Sequence, residues 1–478
     1  MSETMNDFEK QLLEELKFNV SSDSLRRKKK DNAEIRALSL VRHNCVDWLK
    51  IDKKETVLDL GGTYGDLCGS IAPRCRKLYI LPIDEAHQAI IEERIKALKN
   101  AETADIEEIL NNKKIKINRA IIHDLPLVFK DREELFEMIS TLMDKGIGKI
   151  AVLCDCPESW RSHLNISMKN KEKDEIRKRY SDLCLIPEEV TAGIRMPEGY
   201  HKAVFSALPD NTFVRAVAKE NADTYEGTSF TMLLEKEETP YDEVYRFSND
   251  RAERYSLKTV ISSDKVSKTA CGIYSIDFLF RMLKIGKELN RQYPDKWQCI
   301  PCHREKDALV FDTAKGESLR DMLVRLLGER NEEEYFSLIK EYCEFIRNSH
   351  GISYFCPSER FREMFGDVKG LEECLSGTLN NIDLTFDNII VNKDQRTVID
   401  YEWVFDYPIP REYIMYRAVF YFYKELPDNG YYRKMKKETL RIFTIDKKQE
   451  KAFMDMEEHF QEAIMGGLKR SYTINWSL

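Results

Sequence analysis

The sequence predicts two mixed α/β domains in series: a parallel-sheet domain over residues 1–220 and an α+β domain over residues 221–478. Three observations carry this. With 478 residues the chain is too long for one hydrophobic core. Its first half alternates short apolar runs with helical patterns, which implies βαβ units and a parallel sheet. Past residue 221 the order changes to several short strands followed by helices, the pattern of an α+β domain.

Residues 7–18 and 33–49 repeat apolar side chains at three- and four-residue spacing and predict helices. Residues 56–60 predict a buried strand, followed by a Gly-rich turn at 61–65 and a short helix at 66–72. A strand at 77–83 and a charged helix at 85–99 complete the first βαβ unit. A strand at 115–123, a helix at 132–145, a buried strand at 149–154 and a charged helix at 169–179 follow. The stretch between the second helix and residue 115 reads as lacking a strand, or as holding an eroded one. In the second domain, strands are expected at 230–234, 243–247, 254–261, 266–269 and 309–311, with a helix at 276–289. Helices at 318–327 and 332–349, a hairpin at 388–391 and 397–400, and a last helix at 447–468 complete the pattern. The two parts of this domain divide at about 225–312 and 313–478.

Composition excludes several function classes. The net charge of −8 argues against a general nucleic-acid binder. The basic run at residues 26–30 is flanked by acids and reads as a solvated helix face, which allows at most peripheral membrane contact. No stretch reaches the ~18 apolar residues of a membrane span, and the start has no signal pattern, so a cytoplasmic protein is expected. Twelve scattered cysteines then read as reduced thiols. Cys299 and Cys302 with His303 match a haem-attachment string, but that chemistry requires export. Cys154 and Cys156 read as core.

Residues 381–400 narrow the function most. Asp383 and Asn388 stand five apart on a loop, and Asp400 lies twelve beyond Asn388, after a short hairpin. That spacing builds a phosphoryl-transfer site: Asp383 orients an attacking hydroxyl, while Asn388 and Asp400 hold Mg²⁺ against the phosphates of ATP. The alternative is a loop whose aspartates cap turns. The segment resembles the H-x-D-x-x-x-x-N loop of protein-kinase-like and aminoglycoside-phosphotransferase-like folds, with Asn381 in place of the histidine and Tyr401–Glu402 in place of Phe-Gly. The resemblance implies a bilobal domain, Lys268 (with Lys265 as alternate) on the α/β-phosphates, and Glu288 as its partner carboxylate. It also implies a hinge at residues 308–313. Residues 248–252 fall where a phosphate-covering Gly loop is absent. The aromatic run at 403–410 suits either sugar stacking or core.

Residues 57–65, Val-Leu-Asp-Leu-Gly-Gly-Thr-Tyr-Gly, resemble the first motif of class I S-adenosylmethionine methyltransferases, and residues 38–44 and 143–152 resemble further parts of that Rossmann-like domain. The resemblance spans about residues 35–215. It implies that Gly61 and Gly65 face the cofactor, with Asp59 near by and Asp84 (or Glu85) on the ribose. Thr63 replaces the middle glycine of the turn and Pro82 falls where the ribose acid belongs, so an active domain and a scaffold that no longer binds cofactor both stand. His123–Asp124 follows a strand at the ligand-binding edge of the sheet, in a positional role. Together the two halves resemble the bifunctional bacterial O-antigen chain-terminating kinase/methyltransferases. This implies phosphoryl transfer to a glycan or glycolipid precursor and glycosyltransferase partners. The rivals are a methyltransferase whose second half only recognises substrate, and a non-catalytic scaffold.

Overall fold

The structure, a computed structural model, describes residues 5–17, 40–155, 182–183, 185–207, 213–216, 229–237, 239–240, 243–248, 251–294, 296–349 and 353–465. Among the expected features, the basic run at 26–30, the helix at 169–179 and Cys156 lie outside these residues. The chain divides into two compact units, residues 1–250 and 251–478.

The first unit holds β1 (Thr56–Gly62), β2 (Lys77–Pro82), β3 (Ala101–Thr103), β4 (Arg119–Ile122), β5 (Lys149–Asp155), β6 (His201–Ala207), β7 (Phe213–Ala216), β8 (Ser229–Glu235) and β9 (Val244–Phe247). Their sheet order is β3-β2-β1-β4-β5-β8-β6-β7-β9. Strands β1 to β5 run parallel, and β8 is antiparallel to both β5 and β6. Every residue of β1 is buried, as a central strand covered on both faces requires. The helices are α1 (Asp7–Lys17), α2 (Cys68–Ile71), α3 (Glu85–Ile95), α4 (Ile106–Asn111), α5 (Leu125–Val128), α6 (Arg132–Asp144) and α7 (Pro187–Gly193). This is the Rossmann-like, methyltransferase-type sheet that the sequence predicts. Two local expectations change. Of the two alternatives for the stretch before residue 115, the eroded strand is present as β3, three residues paired to β2. Residues 40–45 form a 3₁₀ turn in place of the end of a long helix.

The expected domain boundary near 220 is corrected to 250/251. The apolar run at 230–234 belongs to β8, not to the second domain. It pairs with β5 from Lys149↔Glu235 to Asp155↔Ser229 and packs Phe230, Met232 and Leu234 into the core with Leu58, Ile122 and Val152. A shift in sequence pattern marked the reversed strand of the first sheet, not the end of the unit.

The second unit holds β10 (Leu257–Ile261), β11 (Lys265–Ala270), β12 (Trp297–Cys299), β13 (Cys302–Glu305), β14 (Ala308–Asp312) and β15 (Glu317–Ser318). The pairs β16 (Ser353–Tyr354) with β17 (Leu375–Ser376) and β18 (Asn380–Asn381) with β21 (Val404–Phe405) flank the hairpin of β19 (Ile389–Asn392) and β20 (Gln395–Val398). Within this unit β13-β14-β11-β10 run antiparallel, and β12-β20-β19-β15 form a second sheet. The helices are α8 (Ile276–Phe280), α9 (Met282–Gln292), α10 (Leu319–Gly328), α11 (Glu332–Ser349), α12 (Glu359–Phe365), α13 (Arg411–Lys424), α14 (Gly430–Ile442) and α15 (Lys447–Ile464). The order of a β-rich part, helix, strand, helices, loop and hairpin is that of a protein-kinase-like domain. Trp403, Phe405 and Tyr407 are buried in its core, so the aromatic run is packing. The described cysteines are free thiols, and Cys154 and Cys299 are buried.

Helix α9 and the segment after β20 meet at one small residue. Gly286 is buried against the Tyr401 phenol, and a Cβ placed there would stand 2.9 Å from the Tyr401 hydroxyl. The Tyr401 hydroxyl donates to the Ile300 carbonyl at 2.9 Å, so the ring cannot simply swing away. We expect Gly286→Val to destabilise the second unit by about 1–3 kcal/mol through overpacking. Urea unfolding followed by tryptophan fluorescence checks this, and Gly328→Val, with no heavy atom within 4 Å of its added Cβ, serves as the control.

Candidate active site

The second unit gathers charged groups around the segment from Asp400 to Val404. Asp383 precedes a short 3₁₀ turn, Phe386–Asn388. Its backbone N–H donates to Asn381 Oδ1 at 2.9 Å, which pins the start of the loop. The Asn388 amide donates to the Asp383 carbonyl at 2.9 Å and closes the loop on itself. The Ile399 N–H donates to the Asn388 carbonyl at 2.9 Å and ties the loop to the strand that delivers Asp400. The loop carrying Asp383 and Asn388 is thus tied, through these side-chain and backbone bonds, to the strand that leads into Asp400.

Asp383 is buried. Its Oδ2 accepts from the Trp403 N–H at 2.8 Å, and its Oδ1 faces Arg417 Nη1 at 3.9 Å. Burial, and then the nearby Asp400 charge, push its carboxyl up to about 7, against the pull of Arg417. Arg417 also donates to the Ile382 carbonyl at 2.5 Å and to Glu457 at 2.8 Å. Glu457, on α15, accepts from the hydroxyls of Tyr413 and Tyr421 at 2.7 and 2.6 Å. A buried network thereby runs from the last described helix to the Asp383 loop.

Lys268 lies on β11 with its side chain only 6% exposed. Its ammonium donates to Asp400 Oδ1 at 2.9 Å and to Glu402 Oε1 at 2.5 Å. Lys265 is exposed on the same strand, which leaves Lys268 as the strand lysine of the site. Desolvation works against the Lys268 charge, but the two carboxylates hold it above the ordinary lysine value. Burial also raises the Asp400 carboxyl, while Lys268 offsets part of that rise; about a third of the side chain stays exposed. Burial opposes ionisation of Glu402 too, yet Lys268 and Arg251 together hold it down at about 2.

Glu288 does not enter this site. It sits on the solvent side of α9, 37% exposed, 3.5 Å from Lys284 one turn back. The carboxylate facing Lys268 is Glu402, which spacing rules aimed at a helix did not find. The available signal was proximity: Glu402 stands two residues after Asp400, and both carboxylates reach Lys268 while Tyr401 turns into the core. Arg251 was also missed. It falls in the segment expected to cover the phosphates, and it reaches Glu402 Oε2 at 2.9 Å. Asn249 and Asp250 of that segment lie outside the described residues.

Among the described residues no three acidic, His or Cys side chains form a stand-alone metal site. Nucleotide-bound Mg²⁺ needs only one or two carboxylates and takes its other ligands from phosphate and water. Asp400, with Oδ1 on Lys268 and a partly exposed side chain, and Asn388, whose amide nitrogen is occupied and whose carbonyl oxygen is a hard donor, fit that requirement.

The first unit presents its Gly turn at the end of β1. Gly61 has φ +133°, and a Cβ there would stand 2.4 Å from the His123 carbonyl oxygen. Gly65 has φ +68°. Gly61 therefore requires glycine, and Gly65 favours it. Asp59 Oδ1 lies 2.8 Å from His123 Nε2, and the other ring nitrogen lies 3.1 Å from Asp124 Oδ2. Asp59 is thus committed to a buried histidine, and its Oδ2 has no partner among the described residues. Asp84 Oδ1 caps α3 by accepting from the His87 N–H at 2.9 Å and lies 2.7 Å from His87 Nδ1. Its other oxygen and its 54% exposure leave room for a ligand contact. Tyr64 of the turn stacks on His87 at 4.9 Å and meets Phe8 of α1 edge-on at 5.6 Å.

No family model matches the chain, and no curated protein matches it. Among solved structures it is similar to the bifunctional kinase-methyltransferase WbdD, at 14% identity over 94% of this chain and 99% of that one, with a TM-score of 0.27. It is similar to the plantazolicin methyltransferase BpumL in complex with SAH, at 16% identity over 48% of this chain and 95% of that one, with a TM-score of 0.31. It is also similar to an rRNA methylase from Streptococcus thermophilus, at 16% identity over 41% of this chain and 95% of that one, with a TM-score of 0.25.

His123 gives this unit a signature in pH. Burial disfavours its charge, but Asp59 and Asp124 outweigh that and raise its pKa to about 10. A histidine whose folded pKa exceeds its unfolded value of about 6.5 contributes stability that is complete below that value. The contribution fades as pH rises toward 10. Melting of the wild-type protein should therefore show a falling first transition between these limits, and His123→Gln should flatten the slope while lowering the transition at pH 6.5. An unchanged slope would contradict the charged assignment.

Proposed function

We propose that the second unit transfers a phosphoryl group from ATP to a hydroxyl of a bacterial surface-glycan or glycolipid precursor. The methyltransferase-like first unit acts beside it, as a second catalyst or as a scaffold. The observation that supports this reading is the backbone-tied convergence of Asp383, Asn388 and Asp400 with Lys268. A fold alone would not support it, since kinase-like folds serve several roles.

Each residue has a task that its geometry suits. Asp383 presents Oδ1 while the Trp403 N–H holds Oδ2, so the acceptor hydroxyl is oriented by a fixed oxygen. Burial raises the Asp383 carboxyl, which favours its taking up the proton of the acceptor hydroxyl. Lys268 carries a charge in a dry setting and can shift its contact from Asp400 to phosphate oxygen. Asn388 and Asp400 would hold Mg²⁺, which supplies charge neutralisation at the transferring phosphate. No helix among the described residues is long and apolar enough to cross a membrane. The proposed setting is the cytoplasmic side, where glycan precursors meet glycosyltransferases, with at most peripheral membrane contact.

The Gly61 and Gly65 backbone suits close approach of a cofactor such as S-adenosylmethionine, and this favours a second reading in which the first unit carries the chemistry. A thermal-shift panel separates the two. ATP with Mg²⁺ should stabilise the protein by about 2.7 kcal/mol at 100 times its Kd. A shift with S-adenosylmethionine alone would support the second reading, and no shift with either would support a non-catalytic scaffold.

Asp383→Ala should lower transfer of labelled γ-phosphate to glycan oligosaccharides by about 10²- to 10⁴-fold. It should leave Mg·ATP affinity within a few-fold of wild type, because Asp383 faces the acceptor. Retained transfer in this variant would reject the assignment.

A further inference from the structure

We infer that Glu402, anchored by Arg251, is the positioning residue that aims Lys268 at the nucleotide phosphates, a task that no carboxylate of the described helices α8 and α9 performs. The inference rests on the phosphotransfer reading above and assigns a part within it.

The argument begins with what Lys268 needs. A lysine ammonium on a four-carbon stem is poorly fixed by one contact. A buried ammonium also needs compensating charge, or burial would neutralise it. Two acids face Lys268, namely Asp400 at 2.9 Å and Glu402 at 2.5 Å. The two contacts differ in what competes for them. Asp400 is the partly exposed metal-ligand candidate, so its oxygens have another use when nucleotide is present. Glu402 has none: its side chain is 9% exposed, and its second oxygen is held by Arg251 at 2.9 Å. Glu402 is therefore the lasting partner, and Asp400 the exchangeable one.

The surroundings fix Glu402 from several directions. Its backbone carbonyl accepts from Arg281 Nη2 at 2.7 Å, and the same guanidinium reaches the Val404 carbonyl at 3.2 Å. The Arg251 guanidinium lies over the Trp403 ring, 5.4 Å from its centroid. The acids on α8 and α9 face elsewhere. Asp277 is exposed and Glu288 pairs with Lys284. The buried Gly286 of α9 packs against Tyr401, so a side chain closer to the site would collide at that point.

Isothermal titration of the full-length protein with Mg·ATP tests this without knowledge of the acceptor. Glu402→Gln should weaken binding by about ten- to a hundredfold, the loss expected of a charge-assisted contact. Lys268→Met should weaken it to a similar extent, and the double variant should bind no worse than Lys268→Met alone, because the acid acts through the lysine. Arg251→Gln should give a smaller loss in the same direction, Glu402→Asp should recover part of the affinity, and Glu288→Gln should bind as wild type. Melting of each free variant shows that the protein titrated is folded. If Lys268→Met loses affinity while folded Glu402→Gln keeps it, or if the two losses add, the inference is overturned and the phosphotransfer reading survives. If wild type does not bind Mg·ATP, both fall.

Discussion

One buried ammonium organises the second unit. Lys268 sits where water cannot solvate it, so the fold must supply negative charge, and it supplies two carboxylates. Arg251 then balances the second of them, which leaves two cations and two anions in contact, with Lys268 and Glu402 buried and Asp400 and Arg251 partly exposed. Such a cluster adds little net stability compared with a well-packed apolar core, because desolvation consumes most of the Coulomb gain. Its effect is on geometry. Removing any one member strands a buried charge, so the four groups are held to one arrangement, and the loop carrying Asp383 is built around that arrangement through the Trp403 N–H.

The first unit solves a similar problem differently. The carboxylate in the middle of β1 is buried, and it meets an imidazole flanked by a second acid. The histidine backbone also crowds Gly61, so the same residue sets both the charge and the shape of the turn. Asp124, held at φ +49°, begins the short helix after β4 from a conformation that non-glycine residues seldom adopt. Strain, buried charge and two glycines with positive φ gather at one edge of the sheet, the edge where open parallel sheets bind ligands.

Much of this was legible in the sequence, and the reason is locality. Asp383, Asn388 and Asp400 lie within twenty residues, and their relation is set by one loop and one hairpin. Helix α11 is legible to the residue because its apolar stripe is long and regular. The misses are tertiary. Whether Lys268 pairs with a helix or with the strand-like segment after Asp400 depends on how α9 packs, and that is decided by Gly286 and Tyr401 from opposite ends of the unit. The domain boundary failed for a related reason. A run such as 230–234 has no sequence mark to say that it inserts antiparallel beside β5, more than seventy residues earlier. Strand β3 could be read only as an absent or eroded strand, because three residues give too little periodicity to detect.

The chain of side chains from α15 through Glu457 and Arg417 to the Ile382 carbonyl has a mechanical consequence. An ion pair shut away from water is stiff, because neither partner can drift without leaving the other uncompensated. Helix α15 therefore behaves as a strut braced against the floor of the loop, and any force or ligand that tilts it is felt at the carboxyl oxygen more directly than sequence distance suggests. Among the described elements of this unit, the one farthest along the polypeptide is thus braced against the candidate site and is not a decoration on its outside.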